Sequence, residues 1–170
     1  MIKQIIFGTR GSPLAMYQTN RVIEKLRALY PQILYKQKII KTKGDIDQVS
    51  SLSYSEELGL FYNEIQSDLI KNNIDIAVHS LKDVPVEYSQ ELSLVAIPER
   101  ICAEDLLFHP GGLSLNALAA GSVIGTCSLR RRGQIKNLRK DIAIKEIRGN
   151  IQTRIEKVYS GEYDAIILAS

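Results

Sequence analysis

Short β-rich runs alternate along this chain with segments whose apolar residues recur three and four apart, and this alternation restricts the fold more than any other feature of the sequence. Residues 2–7 read as a first strand. Ser12-Pro13 then has the form of an N-cap followed by proline at the first helical position. Leu14, Ala15, Val22, Ile23, Leu26 and Leu29 carry a helical stripe to about Tyr30, where Pro31 closes it. Residues 34–40 read as a second strand. Phe61, Ile65 and Leu69 sit four apart and define a second helix, which ends near Asn72-Asn73 and feeds a strand over 74–78. Strand, helix, strand, helix, strand is the order of a doubly wound α/β sheet. Residues 41–59 show no period, and their Ser, Asp and Glu content suggests a long mobile loop.

Residues 92–97 form a further apolar run, and Pro98-Glu99-Arg100 is placed to cross into a second lobe. That lobe begins with 105–109 and repeats the alternation: strand 122–125, helix 129–139, strand 142–147, helix 151–159, strand 163–168. The expected fold class is therefore α/β, with two lobes over residues 1–98 and 99–170 and a ligand-binding cleft between them. No internal sequence repeat or low-complexity segment is evident. The last apolar strand reaches Ser170 without a covering helix after it, which reads as a fragment or a trimmed fold.

Composition narrows the partner. With 170 residues, 45% hydrophobic and 24% charged, this is an ordinary globular chain. A net charge of +3 is too mild to argue for nucleic acid, but it is unevenly spread. Between Ser128 and Lys157 ten Lys or Arg stand against three Asp or Glu, which leaves the rest of the chain net acidic. Such a local basic surface wants an anionic partner. Two cysteines, Cys102 and Cys127, and two histidines are too few for a disulfide framework or a zinc site, so no metal is expected. No run approaches the roughly 20 apolar residues that span a bilayer, and nothing resembles a signal peptide, so a cytoplasmic protein is expected.

Three strand ends carry the candidate chemistry. After 74–78 come His79, Ser80, Leu81, Lys82 and Asp83, before Val84-Pro85 stops regular structure. Carboxyl ends of strands are where open α/β sheets do their chemistry. Asp83 can move protons or offset a cation formed on a substrate, although an Asp before proline more commonly caps a turn. His79 ranks second, because a His at a buried strand end is more often structural. Gly8-Thr9-Arg10-Gly11-Ser12 joins a strand to a helix N-terminus and makes an anion site of backbone N–H groups, a hydroxyl and a guanidinium; capping alone also explains Ser12. Gly125-Thr126-Cys127-Ser128-Leu129-Arg130-Arg131-Arg132 repeats the arrangement. Its three Arg in a first helical turn oppose the helix dipole, a cost that a bound anion would offset; a solvated basic face, or pairing to carboxylates of the other lobe, is the alternative and ranks below it. Arg148-Gly149-Asn150 and Arg154 add further forks at a third junction.

In their order along the chain these residues resemble the hydroxymethylbilane synthase family, also called porphobilinogen deaminase. The resemblance rests on Gly8-Thr9-Arg10-Gly11-Ser12-Pro13-Leu14-Ala15, Lys43-Gly44-Asp45, Gly59-Leu60-Phe61 and the stretch from Asp75 to Pro85. It continues through Gly125 to Arg131, Ile147-Arg148-Gly149-Asn150 and the stretch from Gly161 to Ala169. It implies two lobes of the type II periplasmic-binding-protein kind, with the family's C-terminal third domain missing. It also implies an enzyme that joins four porphobilinogen molecules head to tail, releasing ammonia, to give the linear tetrapyrrole hydroxymethylbilane of haem biosynthesis. The family primes this reaction with a covalently attached dipyrromethane cofactor. Carried over by motif, Asp83 is the catalytic acid, while Arg10, Ser12, Ser80, Lys82, Thr126, Ser128, Arg130, Arg131, Arg148 and Arg154 hold the acidic side chains of cofactor and substrate.

Two departures from the family qualify the expectation. Its loop before Gly-Leu-Phe is glycine-rich and bears lysines, whereas this chain has Tyr54-Ser55-Glu56-Glu57-Leu58. Its cofactor is attached to a Cys of the third domain, and neither Cys102 nor Cys127 lies in the attachment motif. The expectation is a monomer that binds porphobilinogen and its oligomers, with no nucleic acid or membrane partner, and with little or no turnover from these 170 residues alone. The competing class is an organic-anion binding protein of the same two-lobe fold without chemistry. A nucleic-acid reading of Arg130 to Arg132 ranks third, because stacking aromatics are absent nearby.

Overall fold

The computed structural model describes residues 2–42, 62–85 and 89–170. They form two compact units that divide between Ala96 and Ile97. Of the loop expected over 41–59, residues 43–59 with Glu56-Glu57 lie outside the described residues, as do the segments Lys43-Gly44-Asp45 and Gly59-Leu60-Phe61.

The first unit is a parallel three-stranded sheet in the order β2-β1-β3. Strand β1 (Gln4–Thr9) pairs along its length with β2 (Leu34–Ile39), from Gln4 opposite Leu34 to Thr9 opposite Ile39. On its other edge Phe7 and Gly8 pair with Ile76 and Ala77 of β3 (Ile76–Ala77). As the central strand, β1 is buried at Phe7, Gly8 and Thr9, where an alternating pattern gives way to a continuous one. Gly8 is required there: a Cβ would collide with Ile74 Cδ1. Helix α1 (Pro13–Leu29) starts where the sequence predicts, capped by Ser12, and buries Thr19 and Ile23. Thr19 satisfies its hydroxyl on Ala15 O at 2.9 Å. Helix α2 (Asn63–Ile70) places Ile65 against Ile40 and Ile74, the core of this unit.

Strand β3 is shorter than the expected 74–78. The backbone N of Asp75 donates to Ile6 O at 2.8 Å, and its carboxylate accepts from Ile6 N at 2.7 Å. This side-chain clasp replaces the first rungs of the ladder. The run over 92–97 makes no strand at all, and Val95 is 82% exposed.

The second unit holds a four-stranded sheet in the order β4-β7-β5-β6. Strands β5 (Val123–Gly125), β6 (Ala143–Lys145) and β7 (Ala165–Ala169) are parallel, while β4 (Asp105–Phe108) runs antiparallel to β7 with Asp105 opposite Ala169. Helices α3 (Leu129–Leu138) and α4 (Ile151–Tyr159) supply Ile135 and Val158 to the two clusters that enclose β7, one through Ala165 and the other through Ile166 and Leu168. The last strand therefore does not lack cover: both helices that bury it precede it in the chain.

The two units share local devices, of which the sequence showed the Gly-Thr junction but not the Asp clasp. Gly8-Thr9 and Gly125-Thr126 each bring a strand to a buried Thr and then to a Ser N-cap. Gly125, like Gly8, has no room for a side chain, with Tyr163 Cδ1 only 2.9 Å from where a Cβ would stand. Asp164 repeats the Asp75 clasp, its N donating to Val123 O at 3.0 Å and its carboxylate accepting from Val123 N at 2.7 Å.

Candidate functional site

In the first unit, two chain segments converge on one small cavity of about 40 Å³. From β1 the chain passes through Arg10 and Gly11 to Ser12, whose extended backbone and hydroxyl start α1; Ser12 Oγ accepts from Ala15 N at 3.3 Å. From β3 it passes through His79 and Ser80 into a 3-10 turn over Leu81–Asp83, closed by Asp83 N donating to Ser80 O at 2.9 Å. Arg10, Ser12, His79, Ser80 and Asp83 all line the cavity. Lys82 does not: it lies on the exposed side of the turn.

A residue that sequence reasoning passed over joins the two segments. Gln18, one turn into α1, meets Ser80 through both atoms of its amide, with Nε2 3.0 Å and Oε1 3.1 Å from Ser80 Oγ. These contacts fix the start of the turn that carries Asp83. Nothing in a single sequence marks Gln18, because its partner lies 62 residues away.

His79 stands beside Tyr62, with ring centroids 5.4 Å apart and planes tilted by 51°. Its Nε2 is buried without a hydrogen-bond partner among the described residues. Burial pushes the imidazole below its ordinary value of 6.5; the negative charge of Asp83 opposes that shift and the positive charge of Arg10 adds to it. The cavity thus holds a neutral imidazole, a carboxylate, a guanidinium and two hydroxyls. Such a set can accept hydrogen bonds from N–H groups at Asp83 and bind carboxylates at Arg10 and the serines.

The second unit builds its basic cluster on the start of α3. Ser128 caps the helix, accepting from Arg131 N at 3.4 Å, and Thr126 Oγ1 accepts from Ser128 N at 3.2 Å, so both hydroxyls shape the junction. Arg130 and Arg131 share one acid of their own unit, Asp105: Arg131 Nη2 lies 2.7 Å from Oδ1 and Arg130 Nη2 lies 2.9 Å from Oδ2. Arg131 also donates from Nη1 to Ile167 O at 3.0 Å, and Arg130 from Nη1 to Gln134 Oε1 at 3.1 Å. The guanidinium of Arg131, with that of Arg130, holds the Asp105 carboxyl below the usual range. Asp105 was not among the residues the sequence singled out; its only signal was an acid opening an apolar run.

Half-buried Arg148 stands at the end of the next junction, before Asn150 caps α4 by accepting from Thr153 N at 2.9 Å. Gly149, at φ +110°, makes that turn possible. Arg154 donates from Nε to Gly149 O at 2.7 Å, which folds its side chain back over the helix start. Of the two thiols, Cys127 donates to Ile147 O at 2.9 Å and Cys102 accepts from Glu104 N at 3.4 Å; both are free of disulfides.

Residues 5–170 match a family model described as "Porphobilinogen deaminase, dipyromethane cofactor binding domain". Among reviewed proteins, the chain is 46% identical over 164 residues to a probable porphobilinogen deaminase of Nitrosopumilus maritimus, covering 96% of this chain and 52% of that one. It is 41% identical to the porphobilinogen deaminase of Thermus thermophilus and 44% identical to that of Shouchella clausii, in each case over 169 residues, 99% of this chain and 54% of the relative. The chain thus spans about half the length of the relatives it matches. Among solved structures, a putative L-cystine ABC transporter from Listeria monocytogenes covers 99% of this chain and 70% of its own at 15% identity and a TM-score of 0.42, too loose a likeness to specify more.

Proposed function

Since the chain belongs to the porphobilinogen deaminase family, we propose that it forms the catalytic and carboxylate-binding part of an enzyme that condenses four porphobilinogen molecules head to tail into hydroxymethylbilane with loss of ammonia. The observation that carries this reading is the cavity of the first unit, where Asp83 shares a wall with Arg10, Ser12 and Ser80. A pyrrole bearing an acetate and a propionate presents one N–H donor and two carboxylates. The cavity offers the complement, a carboxylate acceptor beside a guanidinium and hydroxyls. The same donor set fits a dipyrromethane, which repeats those groups twice and, when bound, supplies the primer of the growing chain.

In this reading Asp83 accepts the pyrrole N–H and offsets the positive charge that develops on the substrate as ammonia departs. Arg10, Ser12, Ser80 and Lys82 hold acidic side chains on the first unit. Thr126, Ser128, Arg130, Arg131, Arg148 and Arg154 do so on the second, where ten basic residues within the stretch from Ser128 to Lys157 match the charge that accumulates as each unit adds two carboxylates. We read the compact units, which divide between Ala96 and Ile97 and not at the expected residue 98, as the family's first two domains, and the protein as a monomer. In this reading neither free thiol, Cys102 or Cys127, is the covalent anchor, because neither lies in the family's attachment motif. No helix among the described residues is long and apolar enough to cross a membrane.

The complete gene product that contains these residues tests the reading. Incubated with porphobilinogen, it is expected to release one ammonia for each molecule consumed and to yield a linear tetrapyrrole. Binding of porphobilinogen with no ammonia released would replace the synthase with an organic-anion binding protein.

A further inference from the structure

Asp105 has no part in the proposed reaction, yet it organises the basic cluster of the second unit. It opens β4 on the edge of the sheet, and the antiparallel pairing with β7 puts it opposite Ala169. Each of its carboxylate oxygens takes a different guanidinium, Oδ1 that of Arg131 and Oδ2 that of Arg130. The two arginines differ sharply in freedom. Arg131 has only 13% of its side chain exposed and is pinned again by Ile167 O, whereas Arg130 is 61% exposed. A long exposed side chain ordinarily samples many rotamers, and a ligand must order it on binding. Here Asp105 and Gln134 grip two different nitrogens of the Arg130 fork, and its remaining donors are not used within the described residues. One carboxylate between two guanidinium groups leaves the trio with a net positive charge, so the attraction for a second, incoming carboxylate survives.

We propose that Asp105 is a positioning residue: held on one oxygen by the half-buried Arg131, it grips the Arg130 guanidinium with the other and sets it in the orientation in which it receives a carboxylate of the pyrrole substrate. This rests on the reading of Arg130 and Arg131 as carboxylate binders. Asp105 itself touches no reacting atom in this account, so its loss should act on substrate capture rather than on the chemical step.

Initial-rate kinetics of the complete gene product with porphobilinogen test this, comparing Asp105→Asn, Arg130→Ala and the double variant. Asp105→Asn is expected to raise KM by about fivefold while kcat stays within about twofold, as removal of a charge-assisted tether implies. In the Arg130→Ala background the same substitution should add clearly less, the remainder acting through Arg131, whereas a general loss of stability would act equally in both backgrounds. Gln134→Ala, on the exposed face of α3, loosens the other grip and is expected to raise KM by about twofold, so the test stands even if Asp105→Asn folds poorly. An unchanged or lowered KM in Asp105→Asn, or an equal rise with and without Arg130, overturns the positioning role. An Arg130→Ala variant with the parent's KM shows instead that the carboxylate reading of Arg130 has failed, and the inference falls with it.

Discussion

His79 is the residue whose surroundings most limit its chemistry. Its ring lies against Tyr62, its Nε2 has no partner among the described residues, and burial holds its proton affinity below the ordinary 6.5. The unfolded chain therefore binds a proton at pH values where the folded chain does not. Stability linked to this group is complete above about pH 6.5 and is lost as pH falls through the depressed folded value. His79→Gln removes the linkage. Urea unfolding between about pH 7.5 and pH 5 should show the parent losing more stability than the variant on acidification; parallel profiles would show that His79 is not held neutral by the fold. The motif that contains His79 was legible because five consecutive residues carry it. The partners that assign its roles were not, since Tyr62 and Gln18 arrive from other elements.

At the scale of elements, the helix starts were the easiest features to read, because capping acts over three residues. Ser12, Ser128 and Asn150 each accept from the backbone N three positions on. Asn150 makes the shortest of these bonds and also accepts from Thr153 Oγ1 at 3.1 Å. Asn150→Ala is accordingly expected to cost about 1 kcal/mol of stability, with a smaller loss for Ser128→Ala. Equilibrium denaturation of the two variants measures both, and the reverse order would contradict the geometry. Strand limits were harder to read. The clasps of Asp75 on Ile6 and Asp164 on Val123 span 69 and 41 residues, so no local pattern reports where β3 and β7 begin. The apolar run over 92–97 has strand composition but no pairing partner among the described residues, and composition alone does not make a strand.

At the scale of the whole molecule, the same strand-to-helix junction is used once in each unit and is charged differently. In the first unit it carries one Arg beside the Asp83 turn; in the second it carries Arg130 and Arg131 locked on Asp105. The first arrangement suits a reacting centre, because a carboxylate and a cation share a cavity. The second suits binding, because its cations are fixed and numerous. The α/β class and the uneven charge were visible in the sequence, since both are sums over many residues. The cavity and the Asp105 tether depend on pairings across the chain and needed the fold. Asp83, in the proposed reaction, contributes more to the chemical step than to substrate capture. The most direct measurement is porphobilinogen binding and turnover by the complete gene product, parent against Asp83→Asn. Binding is expected to be largely retained while kcat falls by about 10²-fold or more. A variant that binds like the parent and turns over within about threefold of it would exclude a chemical role for Asp83, since general acid–base or charge-stabilising groups do not leave so small a deficit.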